Sequence, residues 1–181
     1  GQVDTYTYDA NGNLSFDGQF FKTYDADKRL IKDSANPANV IVYSYDAFGR
    51  RVSTSANGVG SFYTYAGLQP VEERNASGEL KTKTIFAGFL MPVLNEQNGT
   101  LYYYHQNELN SVEAISSGSG QLAERYEYDA WGKQSVFDEA GTPLVGSKIG
   151  NRIGFTGQVF DSATGTIKFF YREYNPDRGV F

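Results

Sequence analysis

The sequence predicts an all-β fold: tandem antiparallel hairpins forming one continuous, curling sheet. Three observations carry that expectation. Tyr and Phe are abundant, at 14 and 13 of 181 residues, and both favour pleated, half-buried surfaces. Glycine, at 20 residues, supplies the tight turns that many short strands require. A unit of the form aromatic-x-Tyr-Asp recurs, and internal repeats of this length mark repeat architectures.

The unit is clearest at Tyr6-Thr7-Tyr8-Asp9, Tyr43-Ser44-Tyr45-Asp46 and Tyr126-Glu127-Tyr128-Asp129. Weaker copies are Thr23-Tyr24-Asp25 and Tyr63-Thr64-Tyr65-Ala66. Successive copies from Tyr8 to Tyr65 lie 16, 21 and 20 residues apart, which suits one hairpin per repeat. In a strand, residues i and i+2 share a face, so the two aromatics of each unit point together and the polar residue between them points away. The Asp opens a turn by accepting backbone N–H bonds. Gly follows three residues later, at Gly12, Gly49 and Gly132, where a positive φ closes a bulged hairpin loop. The expected turn and core residues are therefore Tyr8, Asp9 and Gly12, Tyr45, Asp46 and Gly49, and Tyr128, Asp129 and Gly132.

Gly-x-hydrophobic marks the outgoing strands, at Gly12-Asn13-Leu14, Gly78-Glu79-Leu80, Gly99-Thr100-Leu101, Gly120-Gln121-Leu122 and Gly165-Thr166-Ile167. A longer duplication relates 65–80 to 86–101 through aromatic-Ala-Gly and Pro-Val. No helix is predicted, because Gly and Asn interrupt every candidate window. Ser116-Ser117-Gly118-Ser119-Gly120 reads as a turn between strands.

Composition narrows the function classes. The net charge is −5 and no basic block exists, which argues against a nucleic-acid partner. No apolar run approaches the roughly 20 residues of a membrane helix, and no signal peptide is visible. The chain opens at Gly1 rather than Met, which reads as a cleavage or cloning scar with native sequence missing upstream. Cysteine is absent, which removes thiol catalysis, disulfides and Cys-ligated zinc. Asn-x-Ser/Thr at Asn13, Asn75 and Asn98 reads as turn sequence.

Candidate chemical sites are few. His105 is the single histidine and lacks the partners of a triad or metal site. The stretch Asp9-Ala10-Asn11-Gly12-Asn13 is similar to the start of a calcium loop, but Gly stands fourth and Phe20 twelfth, where that loop wants Gly sixth and Glu twelfth. No phosphate-cradling glycine motif occurs. Paired carboxylates for glycoside hydrolysis are not singled out, since most acidic residues fall in turns. No catalytic, cofactor-binding or metal residues are expected. Tyr rows and Trp131 offer a sugar-stacking surface, against which stands ordinary cross-strand aromatic packing.

The ordered set of motifs resembles the YD repeats of the Rhs family, which includes insecticidal toxin-complex shell proteins and, distantly, teneurins. Tyr102-Tyr103-Tyr104-His105 followed by Leu109, Ser111 and Val112 is similar to the family's Tyr-Tyr-His-x-Asp-His-Leu-Gly-Ser-Val-Arg segment. Arg125 to Lys133 resembles Tyr-x-Tyr-Asp-x-aromatic-Gly-Arg. Phe155-Thr156-Gly157-Gln158, Asp161, Thr164-Gly165, Tyr171-Arg172, Tyr174-Asn175-Pro176 and Gly179 follow the order of the Rhs-associated core, which adds Arg172, Tyr174 and Pro176 to the expected structural residues. Asn107, Glu108, Asn110 and Glu113 depart from the family's Asp, His, Gly and Arg, as do Asn175 from Asp and Val180 from Arg.

The resemblance implies a division into hairpin repeats over 1–101 and a core-like region over 102–181 that stops before the self-cleavage motif. It implies a non-catalytic shell segment that encloses or presents a C-terminal toxin domain, in a secreted or cell-surface bacterial protein. The implied partners are the remainder of the shell and the toxin, with edge-strand self-association. The alternative is a cell-surface adhesin or carbohydrate-binding β-module.

Overall fold

The computed structural model describes residues 6–181. Eighteen strands follow in order: β1 (Thr7–Tyr8), β2 (Leu14–Phe16), β3 (Phe21–Tyr24), β4 (Leu30–Asn36), β5 (Asn39–Tyr45), β6 (Arg51–Ala56), β7 (Val59–Ala66), β8 (Gln69–Asn75), β9 (Leu80–Gly88), β10 (Met91–Gln97), β11 (Thr100–Gln106), β12 (Val112–Ser117), β13 (Leu122–Tyr128), β14 (Gln134–Asp138), β15 (Pro143–Leu144), β16 (Val159–Asp161), β17 (Thr166–Phe169) and β18 (Arg172–Tyr174). The only helical element among the described residues is a single 3₁₀ turn at Phe155–Gly157. Strands β1 to β15 are hydrogen-bonded in sequence order in one sheet, and β16, β17 and β18 form a second. The all-β hairpin prediction holds.

The chain divides into two compact units. The first runs to Tyr63 and includes Arg74–Glu79; the second comprises Thr64–Glu73 and Leu80–Phe181. The core of the first is Leu30, Ile41 and Tyr43, with Tyr24, Tyr45 and Ala56 against it. The core of the second is Tyr104, Val112, Ile115, Tyr126, Val136 and Ile153. Alternation places these residues. In β13, Glu124 and Tyr126 are buried and Arg125 and Glu127 exposed; in β5, Ile41 and Tyr43 are buried and Val42 and Ser44 exposed.

One turn geometry recurs in seven of the described hairpins. An Asp or Asn at position i accepts the N–H groups of i+2 and i+4 on its Oδ1. This occurs at Asp9, Asp25, Asp46, Asn75, Asn107, Asp129 and Asp138. In the backbone, the N–H of i+3 bonds the carbonyl of i, and the N–H of i bonds the carbonyl of i+4. The residue at i+3 has positive φ, which makes this a three-residue loop with a bulge. Gly12, Gly49 and Gly132 stand there with φ of 79°, 75° and 84°. The requirement for glycine is weaker than the sequence pattern suggests: Lys28 and Asn110 fill the same position, both at φ 61°. Gly78 stands in the same kind of turn and Gly120 in its backbone pattern with Ser117 at position i, whereas Gly99 sits in a two-residue Asn98-Gly99 loop with φ of 50° and 78°. The 65–80 and 86–101 duplication also diverges at its turns, which use positive φ at Gly67 in one copy and at Leu90 in the other.

Candidate functional site

Buried charge stands at Asp17, Asp33 and Arg51 in the first unit and at Glu73, Glu124 and Asp161 in the second. In the first, Asp33 Oδ1 takes Lys22 Nζ at 2.7 Å and Oδ2 takes the Tyr43 hydroxyl at 2.9 Å. Lys22 also reaches Asp17 Oδ2 at 3.2 Å, and the Arg51 guanidinium lies 3.9 Å over the Tyr43 ring. Asp17, Asp33 and Arg51 are all buried. Burial alone would raise the Asp17 carboxyl, but the Phe20 amide and the Lys22 charge hold it below the usual range. Burial would likewise lower Lys22, and the Asp33 and Asp17 carboxylates hold it above its ordinary value.

In the second unit the most deeply buried carboxylate is Glu124, 1% exposed. Its Oε2 accepts the Tyr126 hydroxyl and, at 2.8 Å, the Ser147 hydroxyl. Its Oε1 accepts the amides of Lys148 at 2.5 Å and Ile149 at 3.2 Å. Residues 146–158 thus form a strap held to the inner face of β11 to β14. Asn151 Oδ1 accepts the Tyr104 hydroxyl at 2.9 Å, Ile153 enters the core, and Arg152 pairs at 2.6 Å with Glu73, which Lys81 also reaches at 2.6 Å. Burial, with Glu124 beside it, pushes the Tyr126 phenol up. Burial raises Tyr104 as well, and burial with the Glu113 charge raises Tyr128.

The last tyrosine of the repeat unit has a fixed partner. The Tyr45 hydroxyl donates to the Leu30 carbonyl at 2.7 Å, and the Tyr128 hydroxyl donates to the Val112 carbonyl at 2.8 Å. Leu30 and Val112 are each the first residue after an Asx turn, so the tether ties one hairpin to the one before it. Tyr8, by contrast, is 65% exposed.

The C-terminal segment folds back on the Asp129 turn. Tyr174 donates to the Trp131 carbonyl at 2.9 Å, Lys133 pairs with Asp177 at 2.7 Å, and the Trp131 ring lies against Gly179, where a Cβ would stand 2.9 Å from Cε3. The Arg172 guanidinium sits 3.8 Å over Phe181, and Phe169, Tyr174 and Phe181 pack edge to face and tilted at 5.0 to 5.7 Å. Pro176 is buried. Trp131 therefore carries this turn on one side of its ring. His105 Nε2 lies 2.9 Å from Ser116 Oγ across β11 and β12.

The structure places Asp9, Gly12, Asp46, Gly49, Asp129 and Gly132 in turns and Tyr45 and Tyr128 in tethers, leaves Tyr8 exposed where β1 ends the described sheet, and puts Arg172, Tyr174 and Pro176 in the C-terminal segment. Sequence reasoning missed Asp33, Glu124, Lys22 and the strap; the available signal was a carboxylate at an inward position, since Glu124 shares the parity of Tyr126 and Tyr128. No group of three or more His, Asp or Glu among the described residues is placed to hold a metal, and no helix among them is long and apolar enough to cross a membrane.

Comparison with known proteins returns the same architecture. The chain is 33% identical over 183 residues to the tRNA3(Ser)-specific nuclease WapA of Bacillus spizizenii, which covers 98% of the chain but only 8% of that protein. It is 23% identical over 212 residues to the double-stranded DNA deaminase toxin A of Burkholderia cenocepacia, covering 97% of the chain and 15% of that protein. The crystal structure of TcdB2-TccC3-Cdc42 superposes with a TM-score of 0.70 at 16% identity, over 95% of this chain and 9% of that one; that of TcdB2-TccC3 gives 0.69 at 17%, over 95% and 9%. At these identities the likeness shows the fold. The family model described as Teneurin YD-shell matches residues 1–181, and the chain belongs to that YD-shell family.

Proposed function

We propose that the chain is a structural wall segment of an Rhs/YD shell that encloses or presents a C-terminal toxin domain of the same protein, and that it performs no chemistry of its own. The observation that carries this reading is the range of its relatives. The same stretch occurs in proteins named as a tRNA nuclease and as a DNA deaminase, and spans 8% and 15% of them. A segment common to both does not supply what distinguishes their activities. The buried acids agree with a structural role: Asp33 is held by a lysine and a phenol, and Glu124 by two hydroxyls and two amides. On this reading residues 1–101 are wall repeats and 102–181 the core-like region, and the whole protein is secreted or displayed at the cell surface.

The test uses two proteins. The 181-residue chain is expected to cleave no tRNA, to deaminate no DNA, and to keep its intact mass over days at neutral pH. The full-length native protein is expected to yield a C-terminal domain that resists added protease until the wall is denatured. Turnover of nucleic acid or spontaneous cleavage within the 181 residues would overturn the non-catalytic reading. A native gene with no domain after Phe181 would overturn the toxin-enclosing one.

A further inference from the structure

The 3₁₀ turn at Phe155–Gly157 touches three hairpins at once. The Phe155 ring covers the Asp129 turn, where a Cβ on Gly132 would lie 2.6 Å from Phe155 Cδ1, and it packs 5.7 Å from Tyr128. The Thr156 amide donates at 2.9 Å to Ser111 Oγ, the residue that closes the Asn107 turn and is 1% exposed. Gly157 lies against Leu90 in the β9–β10 turn, where any Cβ would collide with the Leu90 carbonyl oxygen. Leu90, Ser111 and Gly132 stand 21 residues apart, so three consecutive residues meet three consecutive hairpins. Gln106 joins two of the same turns, donating to Asn110 O at 2.9 Å and Leu90 O at 3.4 Å.

The tripeptide is also internally closed. Gly154 N bonds Gln158 O at 3.0 Å, Gly157 N bonds Gly154 O at 3.1 Å, and Gln158 N bonds Phe155 O at 3.0 Å. Thr156 is left-handed, with φ 50° and ψ 31°, a conformation that a β-branched residue adopts only when its surroundings impose it. Its buried hydroxyl has no hydrogen-bond partner, so the side chain's own bonding does not hold it there. The imposing contacts are the ones on either side, to Ser111 and to Leu90.

We infer that Phe155-Thr156-Gly157 is a cross-hairpin clamp, a rigid piece that fixes the spacing of three successive hairpin turns so that they open together rather than singly. Native-state hydrogen exchange on the 181-residue chain tests it, because local opening is read turn by turn. Two matched variants separate the clamp from ordinary glycine strain. Gly157 and Gly165 have φ of 69° and 71°, and a Cβ at Gly165 meets open space. Gly165→Ala is expected to speed exchange only in its own turn at 161–165. Gly157→Ala is expected to speed it in all three turns, at 88–91, 107–111 and 129–133, by about tenfold, the scale of one lost buried hydrogen bond. Acceleration confined to 88–91 and 154–158 would overturn the clamp. Should Gly157→Ala fail to fold, Ser111→Ala decides: it removes only the acceptor of the Thr156 amide. Faster exchange at 88–91 and 129–133 supports the clamp, and an effect confined to 107–111 overturns it.

Discussion

Strands β3 to β6 and β11 to β14 are two versions of one four-strand element, and they neutralise their buried acid differently. Residues 82 or 83 apart correspond: Leu30 with Val112, Tyr43 with Tyr126, Tyr45 with Tyr128, Gly49 with Gly132. In both, the inward tyrosine donates to a buried carboxylate and the next tyrosine donates to the carbonyl of its neighbour. Yet the acid has moved. Asp33 corresponds to Ile115, and Glu124 corresponds to Ile41, so acid and isoleucine have exchanged strands. In the first element the acid meets side-chain cations, Lys22 and, across Tyr43, Arg51. In the second it meets backbone amides brought by the strap. The repeat dictates a turn, a tether and one buried acid; a neighbouring strand in one element and the strap in the other dictate how that acid is satisfied.

Substitutions sharpen the contrast. The largest loss is expected for Asp33→Ala, which leaves Lys22 buried with Asp17 as its remaining acid. Breaking a buried pair in this way costs about 3–5 kcal/mol, and chemical denaturation followed by far-UV circular dichroism measures it. Lys22→Met together with Asp33→Leu should recover part of that loss, since an apolar replacement of both partners is often neutral, but Asp17 then loses the Lys22 charge and Tyr43 its Asp33 acceptor. Failure of the double variant to recover would mean that the charges also position β3 on β4.

Glu124→Gln is expected to cost less, about 1–3 kcal/mol, because one amide oxygen remains but the carboxamide nitrogen faces donors. Its signature differs more than its size. The single tryptophan, Trp131, sits on the Asp129 turn rather than against the strap, so hydrogen exchange should rise in 146–153 while Trp131 fluorescence holds. Release of Trp131 at the same denaturant concentration as the strap would show the two to be one cooperative piece.

A smaller effect is expected for Asp46→Ala, which removes a carboxylate that accepts two amides and the Arg50 guanidinium at a solvent-exposed turn. Asp46→Asn should retain most of the stability, because Asn75 and Asn107 hold the same turn. Equal losses for Ala and Asn would make the Arg50 ion pair, rather than the amides, the important contact.

Near neutrality pH should have the smallest effect, and the two elements should part at the extremes. The folded pKa of Asp17 is lowered, so its contribution is full above the unfolded value of about 3.9 and fades as pH falls below it. That of Lys22 is raised, so its contribution fades as pH climbs past about 10.4. Tyr104, Tyr126 and Tyr128 are raised by burial, which withdraws stability from the second unit above about pH 10. Exchange measured unit by unit should therefore show the first loosening at both extremes and the second losing its core on the alkaline side. Equal loosening of both cores in acid would mean that Asp17 does not govern the first unit's response.

The hairpin period was legible because it is local. Asp9, Asp46 and Asp129 announce their turns, and alternation announces that Tyr43 and Tyr126 point inward, although Tyr6 and Tyr8 carry the same pattern and are exposed. The same turn built from Asn75 or Asn107 was harder to see, because a search for Tyr-Asp passes over Asn, and a search for Gly passes over Lys28 and Asn110, whose left-handed φ is enforced by the bonds around them. The strap was not legible at all. The Thr156 amide meets Ser111 across 45 residues, and Arg152 meets Glu73 across 79; nothing in either local pattern names its partner.

The tyrosine tether bears on how such a chain grows. Its acceptor is a main-chain carbonyl, at Leu30 in one copy and Val112 in the other, and a carbonyl is present whatever residue stands there. A newly duplicated hairpin therefore arrives with its fastening already matched to any predecessor. Copies can drift in side chains without losing their grip on one another, and lengthening the array requires no paired mutation.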